Sequence, residues 1–256
     1  MLLKFVWFRL VAPVAILRCS GGPREVPWLG AGSRAEGRDV TDGLAAVLFD
    51  MDGLLVDTEP LWLETETEVM ARLGAPWTPE DQQALLGGSM ARTVSYLLAR
   101  ATRPAPPETV ERWMIEGVLA RVRAGRVTVR PGVRELLAEV ARAGLPHALV
   151  TSSQRVFAEA VLDATGITFP LTVCAEDVTA GKPDPEPYLL AAKLLDADPV
   201  RCVALEDSPN GVASATAAGC RVLAVPSLVP IPPAPGRVVV ASLAGVSLGE
   251  LRRIAA

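Results

Sequence analysis

The chain has 256 residues, half of them apolar and 21% charged, with a net charge of -4 at pH 7. That length fits one domain of moderate size, or a domain with a smaller one inserted, and the composition is that of a soluble globular protein. An acidic balance with no basic stripe excludes a nucleic-acid binder, which needs clustered Lys and Arg against phosphates, and a lone histidine, His147, excludes chemistry built on a histidine pair.

The first forty residues are of a different kind from the rest. They open with an apolar stretch carrying Lys4, Arg9 and Arg18 and continue into a segment rich in Gly, Pro and Arg. A signal peptide is one reading of a positive start before an apolar stretch. The longest uncharged run, Leu10 to Leu17, is far short of the roughly 20 residues of a spanning helix. Residues 1–43 are therefore expected to be a flexible extension outside the fold, with Val40 a candidate for the true beginning, and no membrane partner is expected. Cys19, Cys174, Cys202 and Cys220 show no CxxC or metal-like spacing. They read as small core hydrophobes in a reducing, cytoplasmic setting.

From Leu44 onward, short apolar runs alternate with longer amphipathic ones. The first strand is expected at 45–50 ("AAVLFD"). Residues 60–130 then offer only helical runs, bracketed by Pro60 and by Arg130-Pro131. A helix at 132–144 follows, then strands at 147–152, 171–177, 202–207 and 221–226, separated by helices at 155–166, 185–197 and 210–219. The strand runs are continuously apolar, as in a parallel sheet covered on both faces. Gly144, Gly166 and Gly219 fall where helix ends favour a left-handed residue. After a turn-rich segment the chain offers one more short strand, "RVVVAS", and a closing helix, "SLGELRRIAA". The order predicts an α/β fold, a Rossmann-like doubly wound parallel sheet built from 44–59 and 131–256. An all-helical cap, 60–130, would stand over the C-terminal edge of the sheet.

Four of the strands lead into polar residues that could work together. Asp50 and Asp52 follow the first, Thr151, Ser152 and Ser153 end the second, Lys182 in "GKPDPEPY" lies beyond the third, and Glu206 and Asp207 end the fourth. In a parallel sheet these ends share one edge. Singly each is weak: a DxD can be a loop pair, and an EDS can be a helix cap. Together they place four acids around one lysine, an excess of negative charge that suits a hard divalent cation, Mg2+. The chemistry this permits is phosphoryl transfer. Asp50 could attack phosphorus and Asp52 could shuttle the proton, held neutral by its acidic neighbours. Lys182 and the Thr151 hydroxyl could hold the transferring oxygens.

The motifs "FDMDGLLVDTEP", "LVTSS", "GKPDPEPY" and "LEDSPNG", in this order between residue 45 and about 226, resemble the haloacid dehalogenase superfamily. The resemblance is to its branch of sugar-phosphate phosphatases and β-phosphoglucomutase-like enzymes with a helical cap. It implies Mg2+ dependence, Asp50 as nucleophile, and Asp52 as acid and base with its main-chain carbonyl on the metal. Asp207 and Glu206 would complete the ion's shell, Ser152 and Ser153 would bind substrate, and a cap would close over it. The mutases of that branch carry a histidine where this chain has Trp62 and an arginine where it has Met90. Hydrolysis of small phosphate monoesters, sugar phosphates above all, is therefore expected, with a β-phosphoglucomutase-type reaction as the alternative and a non-catalytic phosphate-binding protein behind it. Trp62 is expected on the cap side of the pocket, its competing role being helix packing. The partner is expected to be a small phosphorylated metabolite, and with no exposed heptad a monomer is favoured.

Overall fold

A computed structural model describes residues 43–85 and 90–256. The expected extension, residues 1–43, lies almost wholly outside the described residues. β1 (Ala46–Phe49) is buried along its whole length. A short β2 (Val56–Asp57) precedes four helices, α1 (Glu59–Arg72), α2 (Pro79–Leu85), α3 (Met90–Arg100) and α4 (Pro107–Arg123). β3 (Thr128–Val129) then returns antiparallel to β2, pairing Val56 with Val129 and Asp57 with Thr128. The expectation of a strand-free stretch from 60 to 130 is corrected by β3. Two residues are too short to carry a period-2 pattern, so the pairing has no signature of its own.

The remaining elements follow as α5 (Val133–Arg142), β4 (His147–Val150), α6 (Arg155–Thr165), β5 (Thr172–Val173), α7 (Glu186–Leu194), β6 (Cys202–Glu206), α8 (Pro209–Ala217), β7 (Arg221–Ala224), β8 (Arg237–Val239) and α9 (Leu248–Ala255). The main sheet is parallel throughout in the order β5-β4-β1-β6-β7-β8. β1 lies between β4 and β6, with Phe49 beside Leu149 and Leu205. The chain thus crosses to one side of β1 and then to the other, which opens a crevice at the C-terminal ends of β1, β4 and β6. β5 is shorter than expected because the Asp177 carboxylate accepts a hydrogen bond from the Cys174 amide at 2.8 Å, turning the chain into a 3-10 turn over Ala175–Asp177.

Two apolar layers cover the sheet. One joins Val47, Phe49, Leu149, Val203 and Leu205 to Leu136 and Val140 of α5 and Leu251 of α9, and the other joins Leu48, Val150 and Ala204 to Tyr188 and Ala191 of α7 and Val212 of α8. Cys174, Cys202 and Cys220 are free and buried within these layers. His147 contacts the Leu145 carbonyl at 2.9 Å and meets Phe169 edge-on. The helical insert has its own core of Val69, Met70, Leu73, Val94, Leu97, Val110 and Met114. It also reaches α6, where Trp62 packs on Phe157 with ring centroids 5.6 Å apart. Among the described residues no helix is long and apolar enough to cross a membrane.

Candidate active site

The strand ends bring Asp50, Lys182, Glu206 and Asp207 together. Lys182 Nζ donates to Asp50 Oδ1 and to Glu206 Oε1, both at 2.6 Å, and to the Val150 carbonyl at the end of β4 at 2.9 Å. Burial alone would strip the proton from such a lysine, but the two carboxylates outweigh it and hold Lys182 charged, above its ordinary range. Glu206, fully buried, also accepts from the Tyr188 hydroxyl at 2.5 Å and from the Asp207 amide at 3.2 Å. Gly211 is needed opposite it: a Cβ there would stand 2.0 Å from the Glu206 carboxylate.

Oxygens of Asp50, Glu206 and Asp207 all lie within 4.8 Å of one another. Burial, then Glu206, pushes the Asp207 carboxyl up to about 7, and burial is also the largest cause raising Asp50, against the pull of Lys182. Protein alone therefore leaves this trio short of positive charge. All three side chains offer only oxygen, the donor set of a hard divalent cation. Gly53 permits the crowding: its φ is +87°, and a Cβ would fall 1.9 Å from Asp207 Oδ2. The Ser227 hydroxyl donates to that same oxygen.

Asp52 stands outside the trio. Its carboxylate accepts from Thr58 Oγ1 at 2.7 Å and from Ser153 Oγ at 2.8 Å. Its carboxyl is raised, and the cause corrects the expectation of acidic neighbours: burial raises it, while Thr58, Ser153 and Lys182 pull the other way. Thr151, 3% exposed, accepts from the Ser153 amide at 3.0 Å, so the turn after β4 is tied to its own hydroxyl.

A cavity of about 370 Å³ opens beside Asp52. Ser152, Ser153 and Phe157 form its floor on the sheet side, and Trp62, Met90, Thr93 and Met114 line it from the insert. Of the residues expected to form the site, Asp50, Lys182, Glu206 and Asp207 lie in the buried cluster, and Asp52, Trp62, Ser152 and Ser153 lie on this wall. Thr151 belongs to neither group and follows directly on Val150, whose carbonyl holds Lys182. Reading the sequence did not single out Thr58, Tyr188, Ser227 or Gly53. Thr58 had a signal, since it precedes Glu59-Pro60 at a helix start, yet its hydroxyl serves Asp52 and makes no capping bond. Tyr188 sits in the quoted "GKPDPEPY", six residues after Lys182, on the α7 face that meets the sheet. Ser227 had no signal.

A parallel sheet whose switch point gathers an aspartate pair, a buried lysine and an acidic strand end marks the chain as a hydrolase of α/β fold. The sequence matches the haloacid dehalogenase-like hydrolases over residues 47–225, and the chain belongs to that family, among its sugar-phosphate phosphatases and β-phosphoglucomutase-like members. Hexitol phosphatase B of Escherichia coli (strain K12) is 38% identical over 189 residues, 72% of this chain and 84% of that one. A phosphorylated carbohydrates phosphatase of Thermotoga maritima is 35% identical over 179 residues, 69% of this chain and 82% of that one. The crystal structure of a mutant CbbY from Rhodobacter sphaeroides in complex with xylulose-(1,5)bisphosphate is 31% identical. It superposes with a TM-score of 0.71, covering 81% of this chain and 99% of its own.

Proposed function

We propose that the protein is a Mg2+-dependent phosphatase that hydrolyses small phosphate monoesters, sugar phosphates foremost, through an aspartyl-phosphate on Asp50. The observation that carries this reading is the convergence of Asp50, Glu206 and Asp207 within 4.8 Å around Lys182, beside a cavity of substrate size. Mg2+ held by these carboxylates and by the Asp52 main-chain carbonyl would neutralise the trio and the incoming phosphate.

Asp50 Oδ1 is engaged by Lys182, and among the described residues Oδ2 accepts no hydrogen bond, so it is the oxygen free to attack phosphorus. As the Asp50 oxygen to phosphorus bond forms, the phosphorus to ester oxygen bond breaks, and Asp52 gives its proton to the leaving alkoxide. A carboxyl raised by burial and aimed at the cavity suits that donation. Water then attacks phosphorus, Asp52 takes the water's proton, and Asp50 leaves as carboxylate with inorganic phosphate released. Lys182 and the Thr151 hydroxyl hold the transferring oxygens, and Ser152 and Ser153 bind the phosphate end of the substrate. The helical insert, 60–130, serves as the cap that excludes water during the first transfer.

Trp62 and Met90, both on the cavity wall, offer no acid, base or cation to hold a phosphosugar through a second transfer, which favours hydrolysis over the mutase reaction. The test is phosphate release from p-nitrophenyl phosphate, with Mg2+ and with EDTA, for wild type and Asp50→Asn. Turnover is expected only in the wild type with Mg2+. Activity that persists in the Asn variant or in chelator defeats the proposal.

A further inference from the structure

Glu59, Trp62 and Glu66 occupy positions i, i+3 and i+7 of α1, one helical face, and all three line the cavity that Asp52 opens into. Among the described residues no hydrogen bond or ion pair engages the side-chain carboxylate of Glu59 or Glu66. The described lining also contains no Lys, Arg or His. The cavity is therefore walled by three carboxylates, aromatic and apolar side chains and the neutral polar groups of Thr93, Ser152, Ser153 and Gln154, while Lys182 lies outside this lining, paired with Asp50 in the buried cluster.

We propose that Glu59 and Glu66 are specificity-determining residues that admit phosphate esters of uncharged, polyhydroxylated alcohols and reject esters whose leaving group carries a second anion. This rests on the phosphatase reading and deepens it. With the phosphate end at Asp50, the leaving group must extend along α1, where the seven steps of helical rise from Glu59 to Glu66 span roughly 10 Å, enough for a six-carbon chain. Carboxylates without a cationic partner accept hydrogen bonds from sugar hydroxyls, and Trp62, set against Phe157, gives the carbon skeleton an apolar face. A carboxylate or second phosphate in that place meets like charge in a partly desolvated space and finds no counter-ion. Burial, then Glu59, pushes the Glu66 carboxyl up to about 7, so the comparison is made at pH 8.5, where Glu66 is ionised; Glu59 is raised by burial, Asp52 and Asp57. The related CbbY was solved with a bisphosphate, so this overall fold does not itself forbid a second anion. The selection lies in these side chains.

The experiment compares glucose 6-phosphate with 6-phosphogluconate, which differ chiefly by a carboxylate at the far end. Both serve as substrates and as competitive inhibitors of p-nitrophenyl phosphate hydrolysis at pH 8.5 in wild type, Glu66→Gln, Glu59→Gln and Glu66→Lys. Wild type is expected to favour the neutral sugar at least about tenfold in kcat/KM or inhibition constant. Either Gln variant narrows the ratio, and Glu66→Lys reverses it. Equal handling of the two esters by wild type, or a ratio unmoved in all three variants, overturns the proposal while leaving the phosphatase reading intact. If p-nitrophenyl phosphate is not hydrolysed, the phosphatase reading fails by itself. Calorimetric binding of the two esters in the presence of Mg2+ then still reads the charge preference, with the same ratios deciding it.

Discussion

Replacing Tyr188 by Phe removes one oxygen from a fully buried site and nothing else. The ring stays in its buried apolar cluster with Val150, Ala191 and Val212, and Lys182 Nζ keeps its place 5.0 Å from the ring centroid. What is lost is the 2.5 Å bond to Glu206 Oε1. Glu206 is paired with the Lys182 ammonium and has no access to solvent, so water cannot replace the hydroxyl. A hydrogen bond to a charged group contributes about 1.5–3 kcal/mol. The expected loss in urea unfolding is therefore about 2 kcal/mol, or roughly 4–8 °C in Tm for a chain of this size. The consequence for catalysis follows from the same bond. Freed of Tyr188, Glu206 retains Lys182 and the Asp207 amide but can tilt, carrying the Lys182 ammonium and the cation site with it. A misplacement of about 1 Å costs up to about a hundredfold in rate, so kcat should fall by roughly tenfold to a hundredfold. KM should hardly move, because Tyr188 does not line the cavity. Stability within about 0.5 kcal/mol of wild type, or a variant with unchanged kcat, would show that Glu206 is positioned without the tyrosine.

Two further outcomes are expected. Gly53→Ala places a methyl 1.9 Å from Asp207 Oδ2 on a backbone with φ +87°; the left-handed strain of about 1–2 kcal/mol is tolerable, but Asp207 must move, so Mg2+ affinity measured by titration should weaken well before the fold is lost. In metal-free protein, Asp50, Asp52 and Asp207 have carboxyls raised above their unfolded values. The folded state then holds more protons than the unfolded one between about pH 4 and 7, so stability falls as pH rises through that window. Urea midpoints in EDTA should drop from pH 5 to pH 7.5, and added Mg2+ should restore more at pH 7.5 than at pH 5. A midpoint in EDTA that rises over this range would contradict the assignment.

The sheet and the edge that gathers its polar strand ends were readable in advance because their physics is local and repeated. Runs such as "AVLF" and "CVALE" are apolar on both faces, and only a parallel sheet between helices can bury both. Asp50, Lys182 and Asp207 could be located because topology brings such strand ends to one edge. The shell behind them was opaque for the opposite reason. Ser227 lies in a turn-rich stretch beyond β7, and its contact with Asp207 is set by how that loop folds back, which no period records. Glu59 and Glu66 look like the solvated face of a helix among Glu64 and Glu68; which of the four faces the cavity depends on the rotation of α1 about its axis. Glu64 and Glu68 pair with Arg121, and Glu59 and Glu66 do not. The β2–β3 pairing was invisible because each partner is two residues long.

That small pairing has a modular consequence out of proportion to its size. Entry to and exit from the four-helix segment lie side by side, joined through Val56 with Val129 and Asp57 with Thr128, so the segment can be replaced wholesale at one narrow seam. An exchange of the insert at that seam would leave the strand-end cluster of Asp50, Lys182, Glu206 and Asp207 in place.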